Sequence, residues 1–265
     1  MQTWATVWPG AIILLGLVAG QALAAPPVRD GQFTVCVDPS YPPMEFYRAP
    51  GDRDPVGFDI DVAADLAKEW GAKPRIVATD FPGLLPALAA GRCDAVISGM
   101  FVTPARAAQF PAVPYLRSSQ VLLVRAGTTG IAGPDDLAGK TVAVQAGTEY
   151  EKRAHALDEK LRAEGKPGLT VQAYPKGSDV AEQLLTGRAQ VGITQDTEAA
   201  YRAEVQPGKF AVAYTYPATD TFGIYLPKGA DKEAVQEAVN KLRSDGTLGK
   251  LVAAWHMPAA GAQAP

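Results

Sequence analysis

The sequence is poor in the residues on which catalysis and metal binding most often depend. It holds two histidines and two cysteines among 265 residues. His155 falls inside a helical pattern and His256 close to the C-terminal end, so no histidine metal cluster and no Ser-His pair is available. There is no Walker loop and no G-x-G-x-x-G, hence no glycine loop shaped to cradle phosphate. An excess of one charge is missing too: 25 Lys and Arg stand against 28 Asp and Glu, a net of −3. That balance leaves no broad basic footprint for nucleic acid or anionic lipid. Past the first two dozen residues, no run is apolar enough to span a bilayer.

What is present is a globular composition, 47% hydrophobic and 20% charged. Apolar residues are too plentiful, and net charge too small, for a disordered chain. Residues 1–24 read as an export signal: Ala11 to Val18 is a short apolar stretch, and Ala22-Leu23-Ala24 offers an A-x-A cleavage site. The stretch lacks a preceding Lys or Arg, and it is shorter than the ~20 apolar residues of a membrane anchor. No Cys follows it to carry a bacterial lipid anchor. Cys36 and Cys93 each sit in or beside a predicted core strand, where a free Cys acts as a small hydrophobe. Export would also permit a disulfide, which sequence alone leaves open.

From Phe33 onward strands and helices alternate. Phe33 to Val37 suits a strand buried on both faces. Phe58 to Trp70 carries Ile60, Val62, Ala63, Leu66 and Ala67 at helical spacing, and Gly71 stops it. After the Gly-rich passage 127–133 the cycle restarts with a strand at Thr141 to Val144 and a helix to Ala163. The two rounds share a signature: Leu88-Ala-Ala-Gly-Arg-Cys-Asp-Ala-Val-Ile97 parallels Leu184-Leu-Thr-Gly-Arg-Ala-Gln-Val-Gly-Ile193. In both, a helix ends at Gly and Arg leads into a buried strand. The pattern predicts an α/β protein of two lobes, each a mostly parallel sheet flanked by helices. Lobe one takes 26–122 and, on the chain's return, 219–258; lobe two takes 123–218; a two-strand hinge joins them. Residues 259–265 should be a frayed tail.

In parallel sheets ligands sit beyond the carboxyl ends of the strands. Those positions here carry Asp38 and Tyr41 in a Pro-stiffened loop, Phe81 after the second strand, and Ser98, Gly99 and Phe101 after the third. Thr103-Pro104 then opens a helix whose first turn holds Arg106. A cation there opposes the helix dipole, which suggests that an anion arrives; an ordinary surface or ion-paired arginine is the bland alternative. In the second lobe Thr148 and Glu151 have capping-box spacing, which explains Thr148 and partly explains Glu149 without any ligand. Asp196 could accept an ammonium group or simply cap its helix.

At these loops the chain resembles the family-3 extracellular solute-binding proteins, the polar-amino-acid receptors of ABC importers. The markers are Val37-Asp-Pro-Ser-Tyr-Pro-Pro43, Val56-Gly-Phe-Asp-Ile-Asp61, Leu84-Leu-Pro-Ala-Leu88 with Gly91-Arg-Cys-Asp94, Thr103-Pro-Ala-Arg106, Val144-Gln-Ala-Gly-Thr148, and Asp245-Gly-Thr-Leu248 with Trp255. The resemblance covers nearly the whole mature chain. It implies a periplasmic binding protein of the type II kind, a monomer without cofactor whose lobes close on a solute and deliver it to an inner-membrane permease. It further implies that Arg106 grips an α-carboxylate, that Tyr41 and Phe81 flank the ligand side chain, and that Ser98 and Gly99 contact the ligand. Thr148 and Glu149 fall in the second-lobe carboxylate loop, and Asp196, or Gln195 after a one-residue shift, holds the ammonium. Two residues depart from the family pattern: Phe101 stands where Ser or Thr is usual, and Glu149 where a small hydroxyl residue is common. Two other roles compete. One is a periplasmic aromatic-pathway dehydratase using Glu149 as general acid; the other is a sensory domain serving a separate membrane kinase.

Overall fold

The computed structural model describes residues 25–263, together with Gln2. The expected export signal at 1–24 therefore lies outside the described residues but for Gln2. Strand β1 (Gln32–Val37) is followed by a small hairpin, β2 (Ser40–Tyr41) and β3 (Glu45–Phe46), then α1 (Phe58–Glu69), β4 (Lys73–Ala78), α2 (Leu84–Ala89), β5 (Ala95–Val96) and α3 (Pro104–Ala107). The long β6 (Ala112–Arg125) carries the chain across to β7 (Thr141–Gln145), α4 (Glu149–Ala163), β8 (Thr170–Tyr174), α5 (Gly177–Leu185), β9 (Val191–Gln195) and α6 (Asp196–Val205). Strand β10 (Phe210–Tyr225) brings it back to α7 (Glu233–Ser244) and α8 (Thr247–Ala254).

The strands form one sheet in the order β4-β1-β5-β10-β6-β9-β7-β8. Within each half the pairs β1–β4, β1–β5, β7–β8 and β7–β9 are parallel, and β6 and β10 run antiparallel down the middle. This is the two-lobed α/β architecture that the alternation predicts. Both crossing strands are longer than the sequence suggests. The turn-forming Pro114 hides the start of β6, because Pro cannot donate to a ladder. It is tolerated there because it faces Gly223 where the register shifts. A second interruption falls between Thr215 and Thr219, opposite Val121 and Ser119.

Period-two alternation buries both faces of each half-sheet. On β1, Val35 and Val37 pack in the cluster that holds Val62 and Leu66 of α1, while Cys36 packs with Leu84 and Leu88 of α2. In the second lobe Val142 and Val144 meet Ala154 and Leu161 of α4, and Ala143 meets Val180 and Leu184 of α5. The glycine at 57 has a structural cause: its φ is +142°, and a Cβ there would lie 2.1 Å from the Met44 carbonyl oxygen. Only glycine lets α1 start against that loop.

The structure answers one open question and corrects one expectation. Cys36 and Cys93, whose state the sequence leaves open, are bonded, with Cα atoms 5.7 Å apart. The reason is tertiary, since β1 and β5 are neighbours and Cys36 pairs with Val96. The tail expected to fray from 259 is instead structured through 262. Ala259–Ala262 forms a 3-10 turn, and Gly261 packs so tightly on the first lobe that a Cβ would lie 3.0 Å from the Arg117 carbonyl oxygen.

Candidate functional site

The carboxyl ends of β1, β5, β7 and β9 point into the gap between the lobes, as parallel sheets require. The loop after β5 leads through Phe101 to Thr103, whose hydroxyl accepts the N–H of Arg106 at 3.3 Å and so starts α3. That helix is a single turn of four residues. A macrodipole needs a longer run of aligned peptides. The anion-attracting power expected of a helix start therefore rests here on the guanidinium. Arg106 turns into the gap, its Nη1 donating to the Phe101 carbonyl at 3.1 Å and its guanidinium carbon 5.8 Å from the Phe81 ring centre.

Arg106 meets the opposite lobe directly. Its Nη2 lies 3.7 Å from Oε1 of Glu149, the first residue of α4, and the same oxygen accepts from the exposed Lys152 at 2.7 Å. Thr148 caps that helix: its hydroxyl donates to the Gln145 carbonyl at 2.6 Å and accepts the Glu151 N–H at 3.4 Å. Phe101 stacks on Phe222 at 5.1 Å and meets Tyr150 edge-on at 5.9 Å. Other contacts also join the lobes. Gln145 donates to Asp38 at 2.6 Å, Gly177 N–H donates to Ser40 at 3.1 Å, and the Tyr41 hydroxyl lies 3.4 Å from that of Thr197.

These contacts close the gap to a cavity of about 10 Å³, room for roughly a single water. Of the ten candidates from sequence, Tyr41, Phe81, Gly99 and Phe101 line it from the first lobe together with Arg106, and Thr148 and Glu149 line it from the second. Asp38, Ser98 and Asp196 do not. Asp38 is buried beside it, bound to Gln145, and burial raises its carboxyl to about 6. Ser98 faces inward, accepting the Asp38 N–H at 2.9 Å and donating to Glu45 at 2.8 Å. Asp196 accepts from Ser118 on β6 at 2.6 Å, and burial raises its carboxyl as well. Gln195, the alternative at that place, is fully buried.

Three further residues line the cavity: Glu45, Gln145 and Tyr150. Gln145 and Tyr150 carried a signal, since they flank the Gly147-Thr148 turn at the end of a predicted strand. Glu45 carried none, for it follows the Pro-rich loop by two residues and only the β2–β3 hairpin turns it inward. Among the described residues no group of His, Cys, Asp and Glu is arranged to hold a metal ion, and no helix is long and apolar enough to cross a membrane.

Comparison with known proteins identifies the family and the fold. Residues 33–258 match the family model described as bacterial extracellular solute-binding proteins, family 3. The L-cystine-binding protein TcyJ of Escherichia coli K12 is 29% identical over 229 residues, 85% of this chain and 82% of its own. A solved structure of an ancestral arginine-binding protein bound to arginine superposes with a TM-score of 0.77 at 30% identity, covering 85% of this chain and 98% of that one. The ancestral amino acid-binding protein AncCDT-1, a precursor of cyclohexadienyl dehydratase, superposes with a TM-score of 0.76 at 30% identity, covering 85% and 96%.

Proposed function

The chain belongs to the family-3 bacterial extracellular solute-binding proteins, and on that premise we propose that it is the periplasmic receptor of an amino-acid ABC importer, closing its lobes on a zwitterionic amino acid. The observation that carries this reading is Arg106, turned into the gap and facing Glu149 across it at 3.7 Å. Arg106 takes the ligand α-carboxylate, since guanidinium and carboxylate form a strong charge-assisted pair. Glu149 then stands where an ammonium group would meet it. Asp196, tied to Ser118 outside the cavity, supports an ammonium role less well. The ligand side chain meets the rings of Tyr41, Phe81, Phe101 and Tyr150, an environment that favours a cationic or aromatic group through cation–π or stacking contact.

The mechanism is population shift without chemistry. A cavity of about 10 Å³ admits no amino acid, so the ligand enters only when the lobes part. A bound zwitterion then substitutes for the Arg106–Glu149 contact and bridges the lobes more strongly than they bridge themselves. The hinge lies at the register interruption of β6 and β10, with lobes at 26–122 plus 219–258 and at 123–218. The closed form, as a monomer without cofactor, docks on its inner-membrane permease.

A thermal-shift screen over L-arginine, L-cystine and other amino acids identifies the ligand, because a ligand that binds only the native state raises Tm. Arg106→Ala is then expected to weaken that ligand by about 30-fold or more, as removing one partner of a buried charge pair costs about 2–5 kcal/mol. Unchanged affinity in calorimetry would place the carboxylate elsewhere. The competing dehydratase reading draws on Glu149 as a general acid in a dry cleft, and on the kinship of AncCDT-1. Turnover of prephenate or arogenate, followed by mass spectrometry, would replace the receptor reading with that one.

A further inference from the structure

Beside the cleft, with Glu45 on its wall, lies a group of acids to which the proposed capture mechanism assigns no role. Asp38 comes from the end of β1, Glu45 from β3 and Asp59 from the first turn of α1; they are 4%, 1% and 0% exposed. Asp59 accepts two hydrogen bonds, from the Gly99 N–H and the Tyr115 hydroxyl, each at 2.7 Å. Glu45 accepts from Ser98 at 2.8 Å through Oε1, while its Oε2 is buried and no donor reaches it. The Glu45 and Asp59 carboxyls lie within hydrogen-bonding reach of each other.

Two buried carboxylates in contact cannot both stay ionised without a cation. The charged and titratable groups around Glu45 supply none that is unengaged. Asp38 adds a third acid, and Tyr115 and Tyr41 are phenols. Arg106, across the same cavity, is held by the Phe101 carbonyl and Glu149.

We propose that Glu45 is a neutral carboxylic acid whose Oε2–H donates to the Asp59 carboxylate, and that this shared proton fixes the Ser98–Phe101 loop forming the first-lobe wall of the cleft. The assignment gives the orphaned oxygen a partner. Asp59 then accepts from three donors and Glu45 both accepts and donates. The direction of transfer follows from the hydrogen bonds: burial raises both carboxyls, but Asp59 already accepts two donors that favour its charged form, whereas Glu45 has one donor and an orphaned oxygen. Glu45 is thus a positioning residue: through Ser98 and Asp59 it holds both sides of the turn at Gly99, where φ is +47° and a Cβ would lie 2.8 Å from the Tyr41 ring.

The test compares Glu45→Gln with Asp59→Asn. Gln keeps both bonds, its oxygen accepting from Ser98 and its amide donating to Asp59; Asn places a donor among the Gly99 and Tyr115 donors. Infrared spectra at neutral pH should show a protonated-carboxyl band in the natural protein that Glu45→Gln lacks. Urea midpoints should be nearly unchanged for Glu45→Gln and markedly lowered for Asp59→Asn. With a raised native pKa, the natural protein should lose stability as pH rises through that of Glu45, and Glu45→Gln should not show this loss. Identical infrared bands, or a Glu45→Gln loss as large as that of Asp59→Asn, overturns the proposal. Neither measurement needs a ligand, so a failed amino-acid screen leaves this inference standing.

Discussion

On the first lobe's side of the cleft, Asp38, Glu45 and Asp59 are buried together with only neutral donors bonded to them. On the second lobe's side, Glu198 is buried against Arg202, whose Nη2 and Nε reach Oε1 at 2.5 and 2.7 Å, while Thr194 donates to the other oxygen. Charge is balanced inside the second lobe and left to protons in the first. The second arrangement holds over a wide pH range but fails badly if one partner is lost. The first is expected to tolerate an amide at Glu45, though not at Asp59, and to answer to pH. This suits the role proposed for Arg106, because a second buried cation near it would compete for the same carboxylate.

The sharpest way to break the comparison is Arg202→Ala, which leaves Glu198 charged and alone. Removing one partner of a buried pair costs about 3–5 kcal/mol, so a large fall in the urea midpoint is expected, with the double change Glu198→Met with Arg202→Leu recovering most of it. A small loss in the single variant would mean that the second lobe does not depend on its ion pair. Next in size is the disulfide, which closes a loop of 57 residues; the chain-entropy model gives about 4 kcal/mol for such a loop. Reduction, or Cys36→Ser with Cys93→Ser, should lower stability by about 2–4 kcal/mol, and hydrogen exchange should report the loss in the first lobe.

Smallest, taken per pH unit and per group, is the pH response. Asp38 and Asp59 rise from 3.8 to about 6 when buried. The folded chain then binds protons that the unfolded chain has released, so stability is greatest below pH 4 for these groups and declines as pH climbs through about 6. Each contributes at most about 1.4 kcal/mol per pH unit. Thermal unfolding between pH 4 and 7 should follow that slope. Asp38→Asn and Asp59→Asn should each flatten it, and Arg202→Ala should not.

Much of this was legible in order. Gly71, Gly91 and Gly187 each end a helix, and the βα alternation between them gave both lobes. Thr103 and Thr148 cap the helices that their sequences announce. Seven of ten candidate residues, Arg106 among them, reach one cavity because strand ends must face the gap. The misses have physical causes. Ser98 lies one residue before Gly99, and the positive φ of that glycine turns the serine side chain inward to Glu45. Asp196 finds Ser118, 78 residues away, before it finds a ligand. No periodicity announces such a partner.

By itself the sequence determined what short range can encode: the alternation of strand and helix, the caps, the two parallel rounds, and the placing of an arginine after the third strand. Folding in three dimensions decided the rest. It bonded Cys36 to Cys93, ran β6 and β10 through both lobes, and seated Glu45 beside Asp59. Period and capping act over a few residues of backbone, whereas these pairings join positions tens of residues apart that meet only once the sheet is assembled.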